Sequence, residues 1–337
     1  MSTDAEPLPL LLDLDTGIDD SLALLLACAS PEAALLACTA VGGNVGAATA
    51  ARNTRAVLEL AGRGEVEVAL GALRPLLRAP ADERGGGGGI HGPSGLGDAV
   101  LPEPRMPPSP RHAVPAPRHA VEVILEETRR RPGEVVLVAT GPLTNLALAV
   151  LREPEVLGRL RRLVVMGGAY AHPGNITPAA EFNIHADPEA ACIVFRALAT
   201  HQPREGPAVA IGLDVTERVR LAPADLDAVP AGAVARFLRA ATGFYMGFHE
   251  RQHGFRGCFL HDPLAVAVAL DPTLVTTRPI SVEVETAGEW TAGQTVADWR
   301  GRWGRPPNLA VATEVRAEEV VRRFVARVAD LARAVGA

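Results

Sequence analysis

Short apolar runs alternate with stretches whose apolar positions recur every three or four residues, and the alternation continues along most of the chain. Residues 8–14 read as a buried strand, and 19–29 as a helix opening on Asp19-Asp20-Ser21. A second strand is predicted at 35–41, a helix at 47–61 and a third strand at 66–70. Farther on, 118–130 is helical, 134–139 a strand, 142–151 a helix and 160–166 a strand. A helix over 187–199 leads to a strand at 207–213, and helices fill 231–250 and 262–270. Strands near 274–285 and 308–313 and a helix at 316–335 close the pattern. Such alternation predicts an α/β fold: an open, mostly parallel (mixed) sheet with helices on both faces.

The rhythm breaks over residues 72–117. This stretch carries five consecutive glycines, Gly85–Gly89, and then seven prolines between Pro102 and Pro117. A connection this long inside a compact domain is usually functional or disordered. Beside His91-Gly92 the glycine run reads either as a flap over a site or as a plain mobile loop. No repeat or inter-domain linker is visible, so residues 1–337 are expected to form a single domain with this flexible insertion.

Composition narrows the function classes. The chain is 48% hydrophobic and 21% charged, with a net charge of −6. That argues against a nucleic-acid partner, which demands a basic field. A substrate without phosphates remains compatible. All basic residues are arginine, which removes lysine Schiff-base and P-loop chemistry. Cys28, Cys38, Cys192 and Cys258 form no metal-binding pair, and a reduced, cytoplasmic setting is expected. No apolar stretch is long enough to span a bilayer, so no membrane partner is expected.

The chemistry starts where the first predicted strand ends. Asp13-Leu14-Asp15-Thr16-Gly17-Ile18-Asp19-Asp20 places four carboxylates within eight residues. Like charges this close repel, and a hard divalent cation relieves the conflict. Oxygen ligands without nearby Cys or His favour calcium or magnesium over zinc. Gly17 lets the chain turn, and Asp19 and Asp20 then open the next helix, where its dipole favours negative charge. The plainer alternative is helix capping with a solvated turn. A phosphatase of the aspartyl-phosphate type also begins Asp-x-Asp, but it wants Thr or Val where Gly17 stands, and a lysine that this chain lacks.

The segment Asp13–Asp20 resembles the N-terminal signature of the inosine–uridine-preferring nucleoside hydrolases. Further fragments of that family recur in order: Val41-Gly42-Gly43-Asn44, Ile90-His91-Gly92 and Ala139-Thr140-Gly141-Pro142-Leu143-Thr144-Asn145. Val165-Met166-Gly167-Gly168, Gly174-Asn175, Glu181-Phe182-Asn183 with Asp187-Pro188-Glu189-Ala190, and His261-Asp262-Pro263 follow. The resemblance implies a Rossmann-like nucleoside hydrolase fold. It also implies calcium-dependent hydrolysis of the N-glycosidic bond of a ribonucleoside to ribose and a free purine or pyrimidine base, in nucleoside salvage.

By that resemblance Asp15, Asp20, Asp262 and the Thr140 carbonyl hold one calcium ion. A water on that ion is the nucleophile and Asp15 its general base. Asp19, Asn44, Asn183 and Asp262 grip the ribose 2′- and 3′-hydroxyls, Asn175 and Glu181 the 5′-hydroxyl, and Met166 packs against the sugar. His261 is linked to activation of the leaving base, and His91 contacts substrate if the flap closes. Relatives form homodimers and homotetramers.

The segment 244–257 covers the base in relatives, often with tyrosine or glutamine. Here His249 and His253 lie four apart on one helical face. They either add proton donors near the base or face solvent, and this departure leaves the preferred base open. A ribose-binding pseudoenzyme on the same fold is the alternative function, but it requires a lost ligand and none is lost.

Overall fold

The computed structural model describes residues 6–80, 89–105 and 118–336. In chain order the first elements are β1 (Leu8–Leu14), α1 (Ile18–Ala29), β2 (Ala33–Ala40), α2 (Ala47–Leu60) and β3 (Glu67–Leu70). Next come α3 (Ala120–Arg130), β4 (Val136–Ala139), α4 (Thr144–Arg152), α5 (Val156–Arg159), β5 (Arg162–Met166), α6 (Phe182–Ala186) and α7 (Pro188–Ala197). Then follow β6 (Ala208–Ile211), α8 (Leu213–Thr216), β7 (Arg220–Leu221), α9 (Ala233–His253), β8 (Cys258–Phe259) and α10 (His261–Leu270). β9 (Val275–Ile280), β10 (Val282–Val284), β11 (Thr295–Ala297), β12 (Leu309–Val315) and α11 (Ala317–Gly336) complete the order.

Eight strands form one sheet in the order β3-β2-β1-β4-β5-β6-β12-β9. Every pairing is parallel except that of the edge strand β9 with β12. The expected mixed α/β sheet is therefore present. Side chains alternate between its faces. Leu10, Leu12, Leu14, Val136, Val138 and Val164 pack on one face with α1, α10 and α11. Leu11, Leu137, Leu163 and Val165 pack on the other with α3, α4 and α7. Burying both faces explains why these strands read as unbroken apolar runs. Each fully buried leucine contributes roughly 1.5–3 kcal/mol.

Strand order reverses between β1 and β4. That is the switch point at which a doubly wound sheet opens a crevice beyond its strand ends. Asp15 and Thr140 each stand one residue beyond one of these two strands. α10 completes the crevice from one side; its sequence HDPLAVAVAL is apolar almost all round because the helix is buried.

Several boundaries differ from expectation. The strand expected at 207–213 stops at Ile211, and Leu213 opens α8. The run at 274–285 splits at Ser281: β9 stays in the main sheet, while β10 pairs antiparallel with β11. The segment read as a loop before Asp187 contains α6, capped by Glu181. α9 continues to His253 and ends at Gly254, whose φ of 70° is the left-handed conformation that stops a helix. Helices of four or five residues are too short to show a period, which is why α5, α6 and α8 were invisible.

Within 72–117 the described residues form no helix or strand. Gly85–Gly88, which carry the flap reading, and residues 106–117 lie outside the described residues. No helix among the described residues is long and apolar enough to cross a membrane.

Candidate active site

The turn between β1 and α1 crowds carboxylates under backbone that has no room for side chains. A Cβ on Gly43 would stand 2.0 Å from Asp15 Oδ2, and one on Gly17 2.7 Å from His91 Nδ1. Glycine is required at both positions by close approach. Asp15 accepts the Asn44 backbone N–H on Oδ2 at 2.6 Å. Asp20 accepts the Gly17 N–H at 2.9 Å and the Thr140 hydroxyl at 2.8 Å. The Asn44 side-chain amide bridges Asp15 and Asp20 at 3.3 and 3.2 Å. Asp13 turns away from the crevice and accepts from Thr39 and Asn145.

Carboxylate oxygens of Asp19, Asp20 and Asp262 converge, all within 4.8 Å of one another and all buried. Burial, reinforced by mutual repulsion, pushes the Asp15 and Asp262 carboxyls well above the usual range. Asp19 and Asp20 rise to about 6, again chiefly through burial. Among the described residues, the ion-pair partner nearest the cluster is His91, with Nδ1 3.7 Å from Asp19. Burial pushes His91 down to about 4, so it is neutral at neutral pH and compensates nothing. Several buried carboxyls with no cation among the described residues to compensate them suit a hard divalent ion with oxygen ligands.

Beside the cluster opens a pocket. Asp19, Asn44, Thr140, Asn183 and Asp262 line it. Met166, Asn175 and Glu181 line the wall formed by the end of β5 and the start of α6. The Asn183 amide donates to the carbonyls of Thr140 (2.7 Å) and Met166 (3.2 Å), tying the ends of β4 and β5 together. Glu181 accepts three backbone N–H groups, from Gly168, Asn183 and Ile184, at 2.9–3.1 Å. Burial still leaves its carboxyl raised. Asn175 accepts the Phe182 N–H at 2.9 Å. His91 and His261 also line the pocket.

The family model described as "Inosine-uridine preferring nucleoside hydrolase" matches residues 10–322. The chain belongs to this family. It is 40% identical over 328 residues to the pyrimidine-specific ribonucleoside hydrolase RihA of Enterobacter sp. (strain 638), covering 96% of this chain and 98% of that one. Among solved structures it is similar to the purine-preferring ribonucleoside hydrolase from Gardnerella vaginalis (TM-score 0.84, 35% identity, 97% and 99% of the two chains). A plant nucleoside hydrolase matches with TM-score 0.80 and 31% identity, over 96% and 99%. The protein is thus a ribonucleoside hydrolase, an enzyme acting on N-glycosyl bonds.

In this hydrolase the metal and ribose residues singled out from sequence converge on one crevice, with two refinements. The tight carboxylate triple contains Asp19, which the resemblance assigned to ribose, while Asp15 stands beside it under Asn44. The Thr140 carbonyl, assigned to the ion, accepts the Asn183 amide.

The lid histidines are placed differently from the rest. His249 is buried with Nδ1 2.9 Å from the Tyr245 carbonyl, and its ring lies edge-on to Phe259 at 4.9 Å. Burial pushes it down to about 4. His253 is exposed and stacks on His249 at 5.5 Å. Neither lines the pocket. The side chain of this helix that does is Tyr245, one turn earlier, with its hydroxyl 3.5 Å from Asp19 and its ring 5.5 Å from His91. Ile90 and Phe182 also line it. Sequence reasoning named none of these three as site residues, although Ile90 and Phe182 sit inside quoted motifs and Tyr245 inside the lid.

Proposed function

We propose that the chain hydrolyses ribonucleosides to ribose and free base with one calcium ion held by Asp15, Asp20, Asp262 and the Thr140 carbonyl. The observation that carries this reading is the convergence of buried carboxylates, uncompensated by any described cation, at a pocket that Asp19 and Asp262 line. When bound, calcium would supply a Lewis acid that makes a water more acidic and gathers the sugar hydroxyls. Asp15 takes the proton of the attacking water. The Asn44 N–H on Oδ2 fixes the direction of that carboxylate.

Asp19, Asn44, Asn183 and Asp262 hold the 2′- and 3′-hydroxyls. Asn175 and Glu181 hold the 5′-hydroxyl, and Met166 packs on the sugar. The surrounding carboxylates stabilise positive charge that develops on the ribose as the base departs. His261 and His91, both in the pocket lining, are the groups proposed to assist the departing base. The four cysteines are free, in keeping with a single domain working in a reducing cytoplasm in nucleoside salvage. The family resemblance supports a homodimer or homotetramer.

The relatives differ in base: one is named pyrimidine-specific and another purine-preferring. A reducing-sugar assay should therefore run inosine, adenosine, uridine and cytidine, each with and without chelator. Ribose release that is abolished by chelator and restored by calcium is the expected result. Phosphate release from phosphomonoesters with no ribose from any nucleoside would overturn the reading. A ribose-binding pseudoenzyme has no observation in its favour.

A further inference from the structure

We infer that Thr216 is a positioning residue that holds His261 in the tautomer with its proton on Nε2, the nitrogen left to face the base. The inference rests on the proposed role of His261 in base departure.

The Thr216 Oγ1 lies 2.8 Å from His261 Nδ1, and both residues are buried. The direction of this bond follows from counting acceptors. The Thr216 hydroxyl is fully buried, and His261 is its one hydrogen-bond partner among the described residues. Were Nδ1 the donor, the threonine hydrogen would be left buried without an acceptor, which costs about 1–3 kcal/mol. With the hydroxyl donating, both groups are satisfied, Nδ1 is an acceptor, and a neutral imidazole must carry its proton on Nε2. His261 lines the pocket, so Nε2–H is what it offers there.

His91 shows the same device made from backbone. Its Nδ1 lies 3.1 Å from the Ile18 amide nitrogen, and an amide N–H can only donate. His91 therefore also carries its proton on Nε2 when neutral. Two histidines that line the pocket are thus turned into fixed Nε2–H donors, one by a peptide group and one by Thr216.

The fold holds the Thr216–His261 pair rigidly. α8 ends at Thr216, and β7 follows four residues later. β7 pairs antiparallel with β8, Arg220 with Phe259 and Leu221 with Cys258. The Leu260 N–H then donates to the Val219 carbonyl at 3.0 Å, one residue before His261. This ribbon is a separate two-stranded sheet, two residues to a strand. It holds the end of α8 against the start of α10.

The test compares Thr216→Val, Thr216→Ser and His261→Ala in the full chain with calcium present. Long-range ¹H–¹⁵N spectra of ¹⁵N-histidine-labelled protein read the tautomer, with His261→Ala assigning the signal. Wild type should show the Nε2–H form for His261, Thr216→Val a shift toward a mixture, and Thr216→Ser the wild-type pattern. Loss of one such hydrogen bond should lower kcat on uridine and inosine ~10-fold with little change in KM. Hydrolysis of nitrophenyl riboside, whose leaving group needs no proton, should change less than about twofold, and Thr216→Ser should recover the nucleoside rate.

A wild-type proton on Nδ1, or an unchanged spectrum and kcat in Thr216→Val, overturns the inference. So does an equal loss on both substrate classes, which would mark a merely structural role. Failure of the underlying reading looks different: His261→Ala would keep full nucleoside turnover, whatever tautomer the spectra report.

Discussion

Calcium affinity should fall steeply as pH drops below neutrality. Asp19 and Asp20 titrate near 6 in the metal-free fold, against an ordinary 3.8, because burial disfavours their charged forms. An ion bound through Asp20 must displace any proton that carboxylate holds. At about pH 5.5 roughly three-quarters of a group titrating near 6 is protonated, against a few per cent at about pH 7.5. That weakens binding ~4-fold through Asp20, the one of the two proposed as a calcium ligand. Asp15 and Asp262, held higher still, add to the effect. The sign for stability is opposite to that of a paired surface carboxylate. These pKa values are raised, so the metal-free fold loses stability as pH rises from 3.8 through about 6 and carries the full penalty above that. For one group the shift corresponds to roughly 3 kcal/mol. Calcium should therefore raise Tm most near about pH 7.5 and least near about pH 5.5. Titration calorimetry in buffers of different ionisation enthalpy would give Kd and the protons released. A Kd constant within about twofold across this range, with no buffer-dependent heat, would refute the argument.

Three further outcomes are expected. Asp15→Asn should keep the fold, by circular dichroism, and lose about 10²–10⁴ in kcat; near-normal turnover would remove Asp15 as the base. Gly43→Ala puts a methyl 2.0 Å from Asp15 Oδ2, so the carboxylate must move; a loss of roughly 100-fold in kcat/KM is expected, and wild-type kinetics would show that the close approach does not matter. Glu181→Ala strips three backbone N–H groups of their acceptor, and urea unfolding should show at least about 1–3 kcal/mol less stability; a change under about 0.5 kcal/mol would mean water replaces the carboxylate fully.

Much of the core fold was legible because its signals are local. β1, β4 and β5 announce themselves as unbroken apolar runs, since both sheet faces are covered. α9 and α11 show long helical periods. The short elements α5, α6, α8, β7 and β8 were not legible, because four residues carry no period. They matter for the site even so: α6 presents Glu181 and Asn183, while α8 and the β7–β8 ribbon bring Thr216 to His261.

The acidic segment after β1, its glycines and the ordered family motifs were determined by the sequence alone. Together they pointed to the family and to most residues of the crevice. Only the tertiary structure decided how those residues divide. Asp13 faces Thr39 and Asn145, whereas Asp19 and Asp20 meet Asp262 from the far end of the chain. It also decided that Tyr245, and neither His249 nor His253, reaches the pocket from α9. The physical reason is that direction is a property of packing. Helical spacing says which side chains share a face. What that face meets is set by elements brought together across the chain, here Asp19 beneath Tyr245 and Phe259 against His249.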